Sequence, residues 1–385
     1  MAISMPQKEA DPYTAFLRED GEGNATYGAG LPGYPENFSR DVFESGIIGG
    51  SAYLLDLQLE KSARHQGTTY NPRTGEKPGK IHHQFPGYCG IYGRDLATTY
   101  NASETTALFL LGAEALLQID HTAGEDFLRR REENLRQAAR YILAHIGNDG
   151  LFWECPPEGN SAFGLKVTYW KDSILTGPNG KEEPDYPVAF GHLQFIAARG
   201  LLSAARLLHD RDLSQTADSM FEAGIREFIQ PSDYIVYRDQ RDQQAHPSSD
   251  ELHSLAYIPT QYQSILPTGA IEHRARVLAT PFGYACTPRE ISQHMQDQYH
   301  GYTVWTYEQA KIYYAAMKYN LGAVALTAAA VEPYINEGQE LFTIKRQDGQ
   351  VIPVPTGNKQ QLWSVAAKVL FADPHNSHLL QTQWL

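Results

Sequence analysis

Three kinds of feature are scarce in this chain of 385 residues, and each absence argues against a class of protein. The three cysteines, Cys89, Cys155 and Cys286, lie far apart without a CxxC pair, so the sequence contains neither a disulfide framework nor a zinc finger. No run of eighteen apolar residues occurs, which argues against a transmembrane helix. Runs rich in Lys and Arg are missing too, and the formal charge is −13. We therefore expect neither a membrane nor a nucleic-acid partner.

Signatures of cofactors and metals are also missing. The sequence has no glycine-rich phosphate motif, no HExxH motif and no Asp-rich calcium loop. Adjacent His82 and His83 cannot both face one ion on a regular helix. We expect no cofactor and no metal. The N-terminal residues lack a basic segment followed by an apolar one, so a cytoplasmic protein is predicted, with no prediction of its oligomeric state.

The residues that are present predict a large core built from helices. Hydrophobic residues make up 42% of the chain and aromatic residues 11%. Apolar residues recur at i, i+3, i+4 and i+7, which is the pattern of a helix with one buried face. Such segments lie near 41–60, 103–119, 126–146, 187–209, 212–229, 268–279, 307–318, 321–332 and 361–372. Alternating β-branched runs are few, so no large sheet is expected.

Long loops rich in Gly, Pro, Tyr and Asn separate these helices. Loops of this length are uncommon in compact domains unless they carry function. Their alternation with helices suits helix pairs stacked in a ring, with the loops forming a pocket at one end. Because no linker or charge run divides the chain, we predict one all-α domain over 1–385, with an N-terminal extension over 1–26 and a C-terminal tail over 373–385.

Several loops combine aromatic and charged residues in a way that is typical of sugar sites. Sugars stack their C–H faces on aromatic rings, and their hydroxyls hydrogen-bond to charged and amide side chains. Tyr169-Trp170-Lys171-Asp172, Tyr302-Thr303-Val304-Trp305 and Gln361-Leu362-Trp363 have this character. Arg40-Asp41 stands at the start of a predicted helix, where it either caps the helix or holds the outer hydroxyls of a terminal sugar.

The order of these and other short motifs resembles the amylo-α-1,6-glucosidase family over roughly residues 27–370. The motifs are Ala29-Gly30-Leu31-Pro32, Phe38-Ser39-Arg40-Asp41, Pro78-Gly79-Lys80-Ile81-His82, Thr99 to Phe109, Trp170-Lys171-Asp172-Ser173, Pro187-Val188-Ala189 with Gln194, Thr280-Pro281-Phe282-Gly283, Tyr302 to Trp305, Glu340-Leu341-Phe342 and Gln361 to Ala366. The family comprises glycogen-debranching glucosidases and related enzymes, including mannosylglycerate and glucosylglycerate hydrolases.

This resemblance implies an (α/α)6 toroid of helical hairpins and inverting hydrolysis of an α-glycosidic bond. The family's acid is the Asp of the Trp-Lys-Asp-Ser motif, which corresponds to Asp172. Its base is the Glu before Leu-Phe, which corresponds to Glu340, with Glu337 as the alternative. Inversion needs a protonated and an ionised carboxyl roughly 6.5–9.5 Å apart, with space for a water between them.

The sugar-binding residues predicted beside this pair come from the same motifs. They are Arg40, Asp41, Tyr100, Glu104, Trp170, Lys171, Gln194, Tyr302, Trp305, Gln361 and Trp363. Two of the motifs depart from the family, because Glu104 stands where many relatives have Asp and Tyr169 replaces a small or polar residue. The predicted substrate is therefore an oligosaccharide or a small glucoside as readily as a glycogen branch.

Two other functions stay open. Helical toroids also serve as sugar epimerases that move protons with histidines, for which His82, His83, His192 and His300 are candidates. A non-catalytic sugar-binding protein is the second alternative, although both carboxylates are present. Within the hydrolase interpretation, an α-glucosidase is the first prediction and a mannosylglycerate- or glucosylglycerate-type hydrolase is the alternative.

Overall fold

A computed structural model describes residues 11–20, 22–86, 98–155, 168–172, 184–295 and 298–372. The predicted C-terminal tail over 373–385 lies outside the described residues, as do the first ten residues of the predicted N-terminal extension, Cys89 and Ser173.

Helices dominate the described residues, and every segment predicted to be helical contains one. They are α1 (Ser39–Ile48), α2 (Ala52–Arg64), α3 (Thr105–Ile119), α4 (His121–Leu143), α5 (Gly191–Leu207), α6 (Arg211–Phe228), α7 (Ser249–Ser254), α8 (Thr268–Leu278), α9 (Arg289–Ser292), α10 (Thr306–Lys318), α11 (Gly322–Ala329) and α12 (Leu362–Ala372). The helix-rich fold is thus confirmed.

One predicted helix is divided in two, and two short helices were not predicted. The segment 41–60 breaks at Gly49-Gly50, where Gly50 has a φ of +61°, and Ser51 then caps α2 by accepting a hydrogen bond from Leu54 N at 3.3 Å. The helices α7 and α9 lie in segments predicted as loops. All six residues of α7 are buried, so this helix has no polar face to produce a periodic pattern.

Among the described residues, six small antiparallel sheets join the loops, which the prediction of an all-α fold did not include. Most of the strands have two to five residues, so their sequence patterns are too brief to recognise. The exceptions are β12 and β13, which have seven residues each and are joined by Asp348-Gly349, a hairpin signal that the prediction missed. The sheets are β1 (Leu17–Glu19) with β2 (Ala25–Tyr27), β3 (Gly30–Leu31) with β14 (Gln360–Gln361), β4 (Asn37–Phe38) with β5 (Gln84–Phe85), β6 (Val188–Phe190) with β7 (Ile235–Asp239) and β8 (Gln243–Ala245), β9 (Ala279–Thr280) with β10 (Gly283–Tyr284), and β11 (Thr303–Trp305) with β12 (Leu341–Gln347) and β13 (Gln350–Thr356).

Six helices contact one another in cyclic order. The order is α1, α3, α5, α7, α10 and α12, and α12 contacts α1 again. The helices α2, α4, α6, α8 and α11 pack against α1, α3, α5, α7 and α10 respectively. Burial follows this division: α1 is buried along its whole length and α5 from Gly191 to Ala205, whereas α4 and α6 bury one face. Helices buried on all sides belong to the interior of a domain.

The N-terminal residues pack against this helical core. Tyr13 and Phe16 are buried in it, and β1 and β2 form a hairpin beside α2. An ion pair joins the hairpin to α2, since the carboxylate of Asp20 lies 2.5 Å from the ammonium of buried Lys61.

Short strands lead directly into four of the cyclically arranged helices. The strand β4 precedes α1, β6 precedes α5, β11 precedes α10 and β14 precedes α12. Because β3 pairs with β14, the loop that contains Gly30 and Leu31 lies against the start of α12. The N-terminal ends of α1, α10 and α12 contribute to the pocket described next, together with the loops between helices.

Candidate active site

A pocket of about 120 Å³ gathers residues from widely separated parts of the chain. Eight predicted site residues line it, together with others that were not predicted. The lining consists of Ala29, Tyr34, Phe38, Arg40, Asp41, His83, Trp170, Asp172, Tyr299, His300, Trp305, Glu340, Gln361 and Trp363. Both carboxylates proposed for catalysis are therefore in one pocket.

Glu340 is buried at the wall of this pocket, directly before β12. Its Oε1 accepts a hydrogen bond from the hydroxyl of Tyr299 at 2.5 Å, and its Oε2 accepts one from Asn358 N at 2.6 Å. Burial raises the pKa of Glu340 above its ordinary value, while these two hydrogen bonds act in the opposite direction. The carboxylate thus has two fixed donors in a place with little water.

The alternative base, Glu337, is in a different environment. Its side chain is exposed, and it does not line the pocket. Glu340 is only 1% exposed and is directed into the pocket wall by its two donors. Of these two glutamates, geometry favours Glu340.

Asp172 ends the described segment 168–172 and is more open to solvent. Its side chain is 29% exposed, and its Oδ2 lies 4.0 Å from Nη1 of Arg40. Arg40 is itself buried, and its Nε lies 2.6 Å from Oε1 of Glu104. Burial raises the pKa of Glu104, although Arg40 opposes the shift. Glu104 therefore stands behind Arg40 and contributes to the site through it, since it does not line the pocket.

Asp41 lies on the same turn of α1 as Arg40 and accepts the last hydrogen bond in a chain that runs through two amide side chains. Gln361 donates from Nε2 to Asp41 Oδ1 at 2.9 Å, and Asn358 donates from Nδ2 to Gln361 Oε1 at 3.0 Å. Burial raises the pKa of Asp41 to about 7; Arg40 opposes this and Glu340 adds to it. Asp41 is thus a buried acid that holds a proton more readily than a surface carboxyl.

Aromatic rings form the walls between these charged groups. The rings of Trp170 and Trp305 meet edge to face with centroids 5.8 Å apart, and Trp363 meets Trp305 at 5.9 Å. His300 stacks on Trp305, with centroids 4.7 Å apart and planes 10° apart. A concave wall of rings beside hydrogen-bonding side chains is suited to the alternating apolar and polar faces of a sugar.

The structure places four predicted sugar-binding residues away from the pocket, in addition to Glu104. Lys171 is directed toward Asp250, and its Nζ lies 3.1 Å from Oδ1. Gln194 uses its amide on the backbone, accepting from Phe152 N at 2.7 Å and donating to Met220 O at 2.8 Å.

The other two are tyrosines that serve local structure. The Tyr100 hydroxyl donates to His65 O at 2.6 Å. Tyr302 is half-buried and does not line the pocket, and its backbone N donates to the hydroxyl of Ser292 at 2.7 Å.

Sequence reasoning missed Tyr34, Phe38, Tyr299 and Asn358. Phe38 stands in the Phe38-Ser39-Arg40-Asp41 motif but was not predicted to bind sugar, and Tyr299 lies three residues before Tyr302, so extending that segment would have included it. Tyr34 and Asn358 lie in loops whose only signal is their Gly- and Pro-rich composition.

The four histidines proposed for an epimerase are buried and poor proton carriers near neutrality. Burial lowers the pKa of His83 and that of His192 to about 3, and lowers the pKa of His82 and His300 well below the ordinary value. Of the four, only His83 and His300 line the pocket. Proton shuttling at neutral pH requires a pKa near 7, so this arrangement disfavours the epimerase interpretation.

The described residues contain neither a cluster of metal ligands nor a membrane-spanning helix. No three His, Cys, Asp or Glu side chains group there as ligands for an ion. Cys155 and Cys286 are free thiols, the first exposed and the second buried. None of the described helices is both long and apolar enough to cross a membrane.

Comparison with known proteins gives structural neighbours only. No protein-family model matches the chain, and no curated protein sequence matches it. A GH63 mannosylglycerate hydrolase from Thermus thermophilus, in complex with Tris and D-glycerate, is 13% identical with a TM-score of 0.61, covering 94% of this chain and 99% of that one. The glucose complex of the same hydrolase is 14% identical with a TM-score of 0.58, covering 90% and 95% respectively.

A more distant neighbour is a GH78 rhamnosidase of Bacillus sp. GL1. It is 12% identical with a TM-score of 0.56, and the match covers 88% of this chain and 32% of that one. The chain shares the fold of these glycoside hydrolases. This likeness is consistent with the resemblance of its ordered motifs to the amylo-α-1,6-glucosidase family.

Proposed function

We propose that the chain is an exo-acting glycoside hydrolase that cleaves an α-glycosidic bond with inversion, and that an α-glucosidase is its first candidate activity. The observation that carries the proposal is the meeting of Asp172 and Glu340 in one pocket walled by tryptophans. A hydrolase fold alone would not support it, because one fold serves many functions. The carboxylate pair and the aromatic wall supply the chemistry that the fold leaves open.

The proposed roles of the two carboxylates are those that the resemblance to the amylo-α-1,6-glucosidase family implies. Asp172 donates its proton to the glycosidic oxygen while the bond from that oxygen to the anomeric carbon breaks. A water attacks this carbon from the opposite face, and Glu340 takes the proton that the water loses. The products are a free sugar of inverted configuration and an alcohol. Tyr299 and Asn358 support this assignment, since donors to both oxygens of Glu340 stabilise the ionised form that a base requires.

The contacts within the chain also support two structural parts of the proposal, an (α/α)6 toroid and a single domain. The cyclic order of α1, α3, α5, α7, α10 and α12, with a second helix packed on five of them, is the order of an (α/α)6 toroid. The contacts of Tyr13 and Phe16 with the core support treating the chain as one domain.

The sugar is proposed to enter with its outer hydroxyls toward Arg40, Asp41 and Gln361. These three side chains line the pocket, and Gln361 donates a hydrogen bond to Asp41, so they can hold several hydroxyls in fixed positions. Trp170, Trp305 and Trp363 then offer their rings to the C–H faces of the sugar.

A second candidate is the hydrolysis of a sugar linked to glycerate. Two complexes of one neighbour, with D-glycerate and with glucose, are matched over nearly the full length of both chains, which favours a small aglycone over a branched polymer. The non-catalytic interpretation is less favoured because both carboxylates line the pocket.

The test is a panel of α-glucosides, isomaltose-type oligomers, mannosylglycerate and glucosylglycerate, with proton NMR of the fresh product. We expect release of a β-anomer from at least one α-linked member. An initial α-anomer would overturn inversion. Binding of sugars with no turnover over long incubation would support the non-catalytic interpretation, and epimerised product without a released aglycone would support the epimerase.

A further inference from the structure

Asp250 lies on the short helix α7, outside the pocket lining, and accepts from three consecutive side chains. Its Oδ2 accepts from the hydroxyl of Tyr169 at 3.1 Å, and its Oδ1 accepts from Nε1 of Trp170 at 2.9 Å. The same Oδ1 lies 3.1 Å from the ammonium of Lys171. The next residue in the chain is Asp172. One buried carboxylate therefore holds the three side chains that lead to the proposed acid.

The contact between Asp250 and Lys171 is a buried ion pair. Asp250 is 1% exposed and Lys171 is 2% exposed. Burial by itself would raise the pKa of Asp250, but Lys171 and the hydrogen bonds outweigh it and hold the pKa below its ordinary value. Lys171 is held in turn, since its ammonium donates to the hydroxyl of Ser249 at 2.8 Å. A buried ion pair with this many hydrogen bonds has a defined geometry.

The other end of the described segment is also tied to the core. Ser103 donates from its backbone N to Thr168 O at 2.8 Å, and the hydroxyls of these two residues are 2.6 Å apart. From Thr168 to Lys171, each side chain of the segment thus has a buried polar partner. Asp172, with 29% of its side chain exposed, stands at the end of this anchored stretch.

We propose that Asp250 is a positioning residue that directs Asp172 toward the glycosidic oxygen by holding Tyr169, Trp170 and Lys171 in place. This inference rests on the proposed function, because it concerns the proton that Asp172 delivers. Proton transfer is sensitive to position, and an error of 1 Å in a reacting group costs about 10²-fold in rate. Asp250 lies outside the pocket lining, so its contribution is made through the segment.

The test compares two leaving groups in Asp250→Asn, which keeps the shape of the side chain and removes its charge. An aryl α-glucoside with a poor leaving group, such as the 4-methoxyphenyl glucoside, needs the proton from Asp172. With α-glucosyl fluoride, the C–F bond breaks without protonation, and only the attack of water assisted by Glu340 is required. We expect kcat/KM to fall by about 10²-fold for the aryl glucoside and by less than about threefold for the fluoride.

The ratio of the two rates separates positioning from general damage. A change in sugar binding at Trp170 affects both substrates equally and cancels in the ratio. Glu251→Gln is the matched control, because Glu251 is next to Asp250 on α7 and its buried ion pair is made with Arg274 of α8, not with the segment. It should lower stability and leave the ratio unchanged.

Tyr169→Phe covers the case in which Asp250→Asn does not fold. It removes one of the three hydrogen bonds and should shift the ratio in the same direction by a smaller factor. Equal losses on both substrates, in whichever of the two variants folds, would overturn the inference while the proposed function stands. If the wild-type protein is inactive on both substrates, the proposed glucosidase activity is wrong, and the inference that rests on it is wrong as well.

Discussion

The two carboxylates proposed for catalysis are held in different ways. Glu340 is 1% exposed, and its two oxygens accept hydrogen bonds from Tyr299 and Asn358. Asp172 is 29% exposed, with Arg40 at 4.0 Å from it, and its segment is fixed through the side chains of the preceding residues. Glu340 is thus the more buried of the two carboxylates, and Asp172 is the more accessible to solvent. In an inverting pair, one group must be ionised and the other must carry the proton that the leaving oxygen takes.

The largest expected effect is the loss of either carboxylate. Asp172→Asn should lower kcat/KM on aryl α-glucosides by about 10²–10⁴-fold but spare α-glucosyl fluoride, whereas Glu340→Gln should lower both by about that factor. Steady-state kinetics on the two substrates measures this. Glu337→Gln is the control and should stay within about twofold of wild type. If Asp172→Asn and Glu340→Gln both keep near-normal rates in a folded protein, the assignment is wrong.

A clash against Glu340 is expected to have the next largest effect. A Cβ at position 357 would overlap Oε2 of Glu340, so Gly357→Ala should displace the base and lower kcat/KM by about 10²-fold. Gly349→Ala is the matched control, because Gly349 has a similar φ of +79° with nothing within 4 Å of a new Cβ. Both changes should cost roughly 1–2 kcal/mol for the left-handed backbone, read from urea unfolding. Equal activity of the two variants would contradict the placement of Glu340.

Removing one donor to the base should move the pH profile. In Tyr299→Phe the ionised form of Glu340 loses a hydrogen bond, so the pKa of Glu340 rises further. The base works when ionised, so the acidic limb of kcat/KM, where Glu340 becomes protonated, should lie at a higher pH than in wild type. A hydrogen bond to a charged group of about 1.5–3 kcal/mol corresponds to roughly one to two pH units in the acidic limb of kcat/KM. Tyr302→Phe, outside the pocket, should leave the limb in place; an unmoved limb in Tyr299→Phe would argue against Glu340 as the base.

The smallest effect on activity is expected at Gln194, which was predicted to bind sugar. Its amide bonds the backbone at Phe152 and Met220, so Gln194→Ala should cost about 1–3 kcal/mol in the free energy of unfolding and leave kcat/KM within about twofold. Gln361→Ala is the counterpart, because Gln361 lines the pocket and donates to Asp41, and it should lower kcat/KM. Chemical denaturation and kinetics of both variants decide the matter. A raised KM in Gln194→Ala would show that its amide reaches the substrate after all.

Prediction from sequence worked best where a motif sits at the start of a long helix. Arg40 and Asp41 are on the first turn of α1, and Gln361 and Trp363 are at the start of α12, so both pairs enter the pocket together. In such places, a strong helical pattern shows where the helix begins and therefore where the preceding loop ends.

Prediction failed where the direction of a side chain depends on distant partners. Lys171 and Asp172 are adjacent, yet Asp172 lines the pocket and Lys171 is directed to Asp250. Nothing in the local sequence distinguishes their directions. Asp250 itself was missed because α7 is six residues long and wholly buried, so no amphipathic pattern marks it.

The sequence by itself determined the helix-rich fold and most of its helical segments, because periodic burial is a local property that the chain carries in its residue order. Its ordered motifs also led to the proposal of Asp172 and Glu340 as the catalytic carboxylates. Only the tertiary structure decided which side chains share the pocket. Tyr299 and Asn358 reach Glu340, and Asp250 reaches the segment before Asp172, through contacts between residues far apart in the chain. Such contacts depend on how helices and loops pack in space, and no local pattern encodes that packing.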